Sequence, residues 1–323
     1  KALKELGRLG YLGMTLPEEF EGSNAGAIAY AASIIEFSKA DAGTAVAVSV
    51  QNSLVNDAIL TFGTEKQKKD FLPRLASGEW IGCFTLTEAN SGSDPGSLRT
   101  AAIRDGDNFV LTGTKNFTTN GGIADVMIVF AQTCKEKGAK GISAFLLTKD
   151  IPGFKVGKHE NKMGIRSSST TEMVFDNCLV PAASLLGEEN KGLKVALTTL
   201  DGGRIGIAAQ AVGIAEAALE EAVRYSKERV QFGRPISELE GIQFMLADMA
   251  TEVEVARTML FRVAWMKESH AGKYTKEAAY AAVISWKNAL NVDEEIKDFE
   301  KTAGKDKLTE REIPEKQLRM ITA

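Results

Sequence analysis

The sequence predicts a mainly helical α+β protein: an N-terminal helical domain, a central antiparallel β domain and a C-terminal helical bundle, in that order. Three observations carry the prediction. Residues 1 to about 80 are alanine-rich and helical in pattern. From about Ile81, short β-prone runs separated by Gly, Asn and Asp continue to Val180-Pro181. From Asn190, apolar residues recur again three and four positions apart. The expected domains are 1–80, 81–185 and 186–323, the first incomplete at its start and the last atypical after about 280.

The elements follow from local chemistry. Ala27 to Ile35 has a broad apolar face. Thr64-Glu65-Lys66-Gln67-Lys68 is a capped helix start, because a threonine oxygen there can accept an otherwise unpaired first-turn N–H. Leu72-Pro73 is expected to interrupt that helix, since proline lacks an N–H and crowds the preceding turn, and Gly78 marks the exit. Ala101 to Arg104 and Phe109 to Thr112 flank Asp105-Gly106-Asp107-Asn108, a hairpin signal. Val126 to Phe130, Ile142 to Leu147 and Glu172 to Phe175 are further strands. Ile205, Ala208, Val212, Ala215, Leu219 and Ala222 form one helical stripe, whose small residues permit close helix contact. A second helix is expected from Gly241 to about Lys267, with Phe244, Ala247, Asp248 and Met249 near its start. There is no tandem repeat and no strand-linked G-x-G-x-x-G, so a Rossmann nucleotide site lacks its fingerprint.

Composition narrows the function. The chain has 323 residues, 44% hydrophobic and 25% charged, with net charge −4, so nothing points to nucleic acid or an anionic membrane surface. No apolar run is long enough to span a bilayer. The chain starts in an amphipathic stretch without a signal peptide's apolar core, as though mid-helix, and residues are expected to precede it. Cys83, Cys134 and Cys178 are odd in number and form no Cys-x-x-Cys pair, which fits a reducing, intracellular setting. Cys83 is a candidate nucleophile, although a small buried hydrophobe is the favoured reading. His159 and His270 are too few for a histidine-rich metal site or a Ser-His-Asp arrangement near the motifs.

The chemistry concentrates in two segments. Phe84-Thr85-Leu86-Thr87-Glu88-Ala89-Asn90-Ser91-Gly92-Ser93-Asp94 takes a β-prone run into a tight polar turn. Thr87 and Ser93 offer hydroxyls, and Gly92 leaves its N–H open to a ligand. Lys115-Asn116-Phe117-Thr118-Thr119-Asn120-Gly121-Gly122 pairs an aromatic face with hydroxyls and a glycine turn. A flat polar ring, stacked on Phe117 and hydrogen-bonded at its edge, suits both. In these two motifs, and in their order, the chain resembles the acyl-CoA dehydrogenase family, whose flavin site carries F-x-L-T-E-x-x-x-G-S-D followed by K-x-[WF]-I-T-N-G.

The resemblance implies FAD held by Phe84, Leu86, Thr87, Gly92, Ser93, Phe117, Thr118 and Thr119, with Thr87 at the pyrimidine end of the ring. Many members have Trp where Phe117 stands. It also implies acyl-CoA contacts from Ser93 and from Asp201, Gly202, Gly203 and Arg204; without the resemblance, that glycine-rich segment reads as a helix-packing notch. In Glu228-Arg229-Val230-Gln231-Phe232-Gly233, Arg229, Gln231 and Phe232 would reach the FAD of a neighbouring subunit, implying a homo-oligomer, dimer or tetramer; the same residues also read as a helix C-terminus. Glu240 stands where many relatives carry a Gln that touches FAD, and a carboxylate beside a pyrophosphate would repel it. Lys162 to Thr170 also matches the family and supports membership without being assigned as a site.

The implied reaction is αβ-dehydrogenation of an acyl-CoA thioester: a carboxylate base removes the α-proton as hydride leaves the β-carbon for the flavin. The family's C-terminal Y-E-G-T-N-E-like segment is not legible. Glu312 lies nearest the base position, but Ile313 and Pro314 replace the expected Gly-Thr, so no catalytic base is assigned. The resemblance is read from about Gly7 to Tyr280. Overall likeness points to the short-chain, butyryl-type members, acting in fatty-acid β-oxidation and passing electrons to a soluble electron-transferring flavoprotein. The expected compartment is cytoplasmic, or the mitochondrial matrix in a eukaryote. The alternatives are a catalytically silent flavin- or acyl-CoA-binding relative or assembly partner, and an acyl-CoA oxidase. A positioned C-terminal Glu would separate the enzyme from the silent relative.

Overall fold

The computed structural model describes residues 2–302. Helices come first (α1 Ala2–Arg8, α2 Gly26–Ser49, α3 Asp57–Phe62, α4 Glu65–Ala76), and a seven-residue π-helix, Val50–Asn56, lies between α2 and α3. Strands follow: β1 Gly82–Thr85, β2 Ala101–Asp105, β3 Asn108–Thr119, β4 Val126–Gln132, β5 Ile142–Thr148, β6 Phe154–His159 and β7 Thr170–Pro181. The chain then forms α5 Gly192–Glu228, a short hairpin (β8 Val230–Gln231, β9 Arg234–Pro235), α6 Glu240–Glu268 and α7 Thr275–Thr302. The helical, β, helical order expected from the sequence is observed. Contacts group the chain into two units, one of residues 1–26, 47–161 and 168–203, the other of 27–46, 162–167 and 204 onward.

In the first unit a seven-stranded sheet runs β1-β4-β2-β3-β7-β6, with β5 also on β4. The expectation of a purely antiparallel domain needs one correction: β1 lies parallel to β4, as does the single Ala101–Gln132 bridge, while the remaining pairs are antiparallel. The long excursion between β1 and β4, which contains the β2–β3 hairpin, permits that parallel return. The hairpin closes on Gly106-Asp107, with Asp105 opposite Asn108 and Gly106 at φ 57°. β6, which the sequence reading missed, is short, charged and little buried, as an edge strand can be. One face of the sheet packs Ile128, Phe130, Ile142 and Leu146 on Leu72, Leu75, Val55 and Ile59; the other buries Phe109, Phe145, Met173 and Phe175.

Helix α4 starts as expected: Thr64 Oγ accepts the Gln67 N–H at 3.2 Å, and Gln67 Oε1 accepts the Thr64 N–H at 2.9 Å. Pro73 does not interrupt it, and the helix continues to Ala76. Leu72, Leu75 and Ala76 are buried around the proline, and their packing outweighs the missing hydrogen bond. The π-helix turns polar side chains inward, where each finds backbone. Asn52 Oδ1 accepts the Met14 N–H at 2.8 Å, and its amide donates to Tyr11 O at 2.9 Å and Val48 O at 3.0 Å. Gln51 donates to Leu75 O at 2.9 Å and accepts the Gly82 N–H at 2.8 Å, fixing the entry into β1.

In the second unit, α2 breaks its helical path at Asp41 (φ −160°), whose carboxylate accepts the Thr44 hydroxyl at 2.6 Å and the Ser167 hydroxyl at 2.8 Å. Ile205, Ala208, Val212 and Ala215 of the predicted stripe on α5 are buried, Leu219 and Ala222 are half-buried, and Gly213 allows close approach: a Cβ there would collide with Ile35 O. Helix α6 matches its expected span. Helix α7 was not expected; Ala278, Ala281, Ser285 and Asn288 form its buried face, and Asn288 donates to Glu252 O at 2.7 Å. Among the described residues no helix is long and apolar enough to cross a membrane.

Candidate functional site

Strand β1 delivers the first motif with alternating faces. The Phe84 ring packs 4.8 Å from Phe130, and Leu86 joins the same apolar core, so a ligand meets mainly their backbone. Thr85 donates to Ile128 O at 3.0 Å. Past the strand, Thr87 O accepts the Asn116 N–H at 2.9 Å, which sets the first motif against the second. The turn beyond closes on itself: Glu88 N–H donates to Ser91 O at 2.8 Å, and Ser91 N–H returns to Glu88 O at 3.1 Å. Ser91 and Ser97 hydroxyls both donate to Asp94 O, at 2.8 Å and 2.9 Å. A Cβ on Gly92 would meet nothing within 4 Å, so internal packing does not require glycine there. The open space above it suits a ligand approaching backbone.

Strand β3 carries the second motif through a register shift between Lys115 and Thr118, opposite β7. The bulge holds Phe117 at φ 56° with 62% of the residue exposed. A bulky side chain at positive φ is an outlier, and an outlier with an outward aromatic ring is a functional signal. Thr119 follows, half-buried. Among the described residues the hydroxyls of Thr87, Ser93 and Thr119 have no hydrogen-bond partner, which leaves them for a ligand. Thr118 differs: it is buried, opposite Thr171, and its hydroxyl is an orphan on the inner face of the strand. Asn120 anchors the segment by donating to Ala47 O and Gly82 O, each at 3.3 Å.

Beneath both motifs lies a buried ion pair that sequence reading missed. Lys115 Nζ is 2.8 Å from Glu88 Oε1, with side-chain exposures of 0% and 5%. Glu88 also accepts the Arg99 N–H at 2.7 Å and the Thr100 N–H at 3.0 Å, and Lys115 donates to Leu86 O at 3.2 Å. Burial alone would raise the Glu88 pKa, but the Lys115 charge and these donors outweigh it and hold the carboxyl below its usual range. Burial pulls Lys115 down to about 8, against the opposing attraction of Glu88. The signal was available: Lys115 is the one charge of the second motif, Glu88 is the acid nearest the strand in the first, and buried charges pair.

On α5, Asp201 is half-buried and Gly202 and Gly203 are buried. A Cβ on Gly203 would approach Leu54 Cδ2 to 2.8 Å, so the space over this glycine is shared with a π-helix side chain. In the second unit Arg204 is exposed. Residues 229–233 lead into and form the turn of a hairpin past the end of α5, with Gln231 opposite Arg234. Phe232 and Gly233, at φ 53° and 75°, are its two central residues, and Phe232 is 88% exposed. Glu240 is exposed in the first turn of α6. Cys83 is fully buried, and burial pushes its thiol far up, so it is a packing residue and not a nucleophile. Among the described residues no cluster of His, Cys, Asp and Glu could hold a metal ion. Glu312 lies outside the described residues.

An outward aromatic ring, three unpartnered hydroxyls and an open glycine turn make a surface suited to a flat polar ring held by stacking and by hydrogen bonds at its edge. Family comparison gives the particular family. The acyl-CoA dehydrogenase N-terminal, middle and C-terminal domains match residues 1–79, 83–178 and 190–293, and the chain belongs to the acyl-CoA dehydrogenase family. The match runs past Tyr280 and begins before Gly7, so it is wider than the motifs alone suggested. An acyl-CoA dehydrogenase of Bacillus subtilis is 51% identical over 291 residues, 87% of this chain and 77% of that protein. The structure of butyryl-CoA dehydrogenase from Megasphaera elsdenii superposes with TM-score 0.93 at 43% identity, covering 99% of this chain and 83% of the other. A chain from the structure of the electron transferring flavoprotein of Acidaminococcus fermentans gives the same TM-score, 0.93, at 43% identity and the same coverage, 99% and 83%. Members of the family are FAD-dependent, and the residues here fit that group: the Phe117 ring offers a face, and the free hydroxyls and Gly92 offer polar contacts.

Proposed function

We propose that this chain catalyses the αβ-dehydrogenation of short-chain acyl-CoA thioesters, with Phe84 to Ser93 and Phe117 to Thr119 holding one FAD. The observation that carries the reading is Phe117, exposed at positive φ in a segment tied to Thr87 O through the Asn116 N–H, with the hydroxyls of Thr87, Ser93 and Thr119 unpartnered. Bound flavin supplies the electron acceptor for the hydride. The chain's own contribution is orientation. Phe117 covers one face of the ring, Thr87 donates at its edge, and Ser93 with the Gly92 N–H holds the tail. Asp201, Gly202, Gly203 and Arg204 serve the acyl-CoA, and Arg229, Gln231 and Phe232 reach the FAD of a second copy in a dimer or tetramer. The short-chain preference rests on the likeness to a butyryl-CoA dehydrogenase, and the likeness to a chain from the structure of an electron transferring flavoprotein supports such a protein as partner.

An anaerobic titration of the flavin-loaded protein with butyryl-CoA tests the activity. Bleaching of the visible flavin band is expected; a band that shifts without bleaching, with longer acyl chains as well, indicates a binding-only relative. The double variant T87V/F117A tests the site. FAD should bind at least about tenfold more weakly, a change of roughly 1.4 kcal/mol. Undiminished holoprotein would place the flavin elsewhere.

A further inference from the structure

We propose that Glu88 and Lys115 are positioning residues for the flavin wall: their buried ion pair locks the turn that carries Gly92 and Ser93 against the bulge that carries Phe117. The inference rests on the flavin-site reading above. Lys115 belongs to β3, two residues before Phe117, and Glu88 follows Thr87 directly. Their 2.8 Å contact therefore joins the two motifs from beneath.

The carboxylate does more than pair. Through the N–H groups of Arg99 and Thr100 it closes the base of the 88–100 loop, and through Lys115 it reaches β3. The ammonium in turn donates to Leu86 O, on the strand side of the motif. One buried charge pair thus fixes the strand, both ends of the turn loop and the bulge together. The Asn116 N–H to Thr87 O hydrogen bond lies between the same two segments, beside the pair. Phe117 at φ 56° needs such bracing, because a strained backbone persists only where its surroundings over-determine it.

Pure stability is a poor reason for this arrangement. Two well-packed apolar side chains commonly serve as well as a buried pair, whereas a pair specifies geometry. Both charges are satisfied, and neither presents an atom to the wall's exposed face, so the pair acts on flavin through Thr87, Ser93 and Phe117.

The test uses the full chain with K115M, E88Q and the E88Q/K115M double variant, titrated with FAD by quenching of its fluorescence, together with visible circular dichroism of the bound flavin. Each single variant should raise the FAD Kd about tenfold or more and change the flavin dichroism, and the double variant should be no worse than the poorer single, because the two side chains act as one unit. E88Q keeps the side-chain shape, so it remains informative if K115M does not fold. F145L, in the sheet core away from the wall, supplies a variant destabilised by ordinary packing loss. FAD Kd and dichroism unchanged in folded K115M and E88Q would overturn the proposal. So would an equal loss of FAD in F145L at matched thermal stability, since the pair would then matter only for global stability. T87V/F117A, measured alongside, separates the two readings. If it loses FAD while E88Q and K115M do not, the lock fails and the site stands; if it retains FAD, the site itself is wrong.

Discussion

Two buried carboxylates, one in each unit, stand beside cations and end in opposite electrostatic states. Glu88 meets one ammonium and two backbone N–H groups, and its pKa is lowered. Glu216 on α5 is equally buried and faces Arg257 of α6 and Lys39 of α2, the latter at 3.9 Å, yet its pKa is raised. Burial is the largest influence on both. At Glu216 the two cations do not compensate, because Glu36 and Glu220 repel it and Lys39 gives its close contact, 2.6 Å, to Glu220. Glu254 competes for Arg257 at 3.8 Å, and Arg257 Nε is buried without a hydrogen-bond partner. Ion-pair count does not decide the charge state of a buried acid; directed donors and the absence of like charges do.

The largest expected effect is on K115M, which leaves the Glu88 carboxylate buried without its cation. Urea unfolding should show a loss of about 3–5 kcal/mol, against a change within about 1 kcal/mol for E216Q. Equal losses would erase the contrast between the two sites.

Alkaline titration sharpens it. The Lys115 pKa falls from 10.5 to about 8 on folding, so between these values the unfolded chain holds a proton that the folded chain has lost. This site alone therefore makes stability rise with pH across that window, by at most about 1.4 kcal/mol per unit, and K115M should remove the slope. A wild-type curve that is flat there, or a slope that survives in K115M, rejects Lys115 as its source.

Acid titration should separate the two carboxylates by sign. The lowered Glu88 pKa contributes stability above the ordinary 4.5 that is lost as pH falls through the folded value, so E88Q should flatten the acid limb. The raised Glu216 pKa contributes below 4.5 and is lost as pH rises through its folded value, so E216Q should be favoured over wild type increasingly toward neutral pH. Denaturation midpoints of both variants from acid to neutral pH check this, and parallel curves would contradict it. The smallest effect belongs to E36Q. It removes one repelling charge, so the Glu216 pKa, followed by NMR of its side chain, should fall; no change would leave burial as the whole cause.

Much of the molecule was legible in one dimension because its signals are local. Thr64 and Gln67 declare a capping box, Asp105 to Asn108 a hairpin, and residues 205–222 a helix stripe, each within a short stretch of chain. The two polar motifs, 84–94 and 115–122, were equally plain, since hydroxyls, an aromatic ring and a glycine turn are chemistry written into residue type. What sequence misjudged depends on distant partners. Pro73 remains helical because buried neighbours hold it, and the face of α7 that carries Ala278, Ala281, Ser285 and Asn288 is buried only through tertiary packing.

Sequence by itself determined the order of elements and the family, because motif spacing and short-range propensity suffice for those. Only the tertiary structure decided that Phe117 would turn outward at positive φ, that Cys83 would be inert and that Lys115 would meet Glu88 out of water. Each of those outcomes is set by what lies across the sheet or beneath the turn, and burial changes the energy of a charge or a strained backbone far more than its neighbours in sequence do.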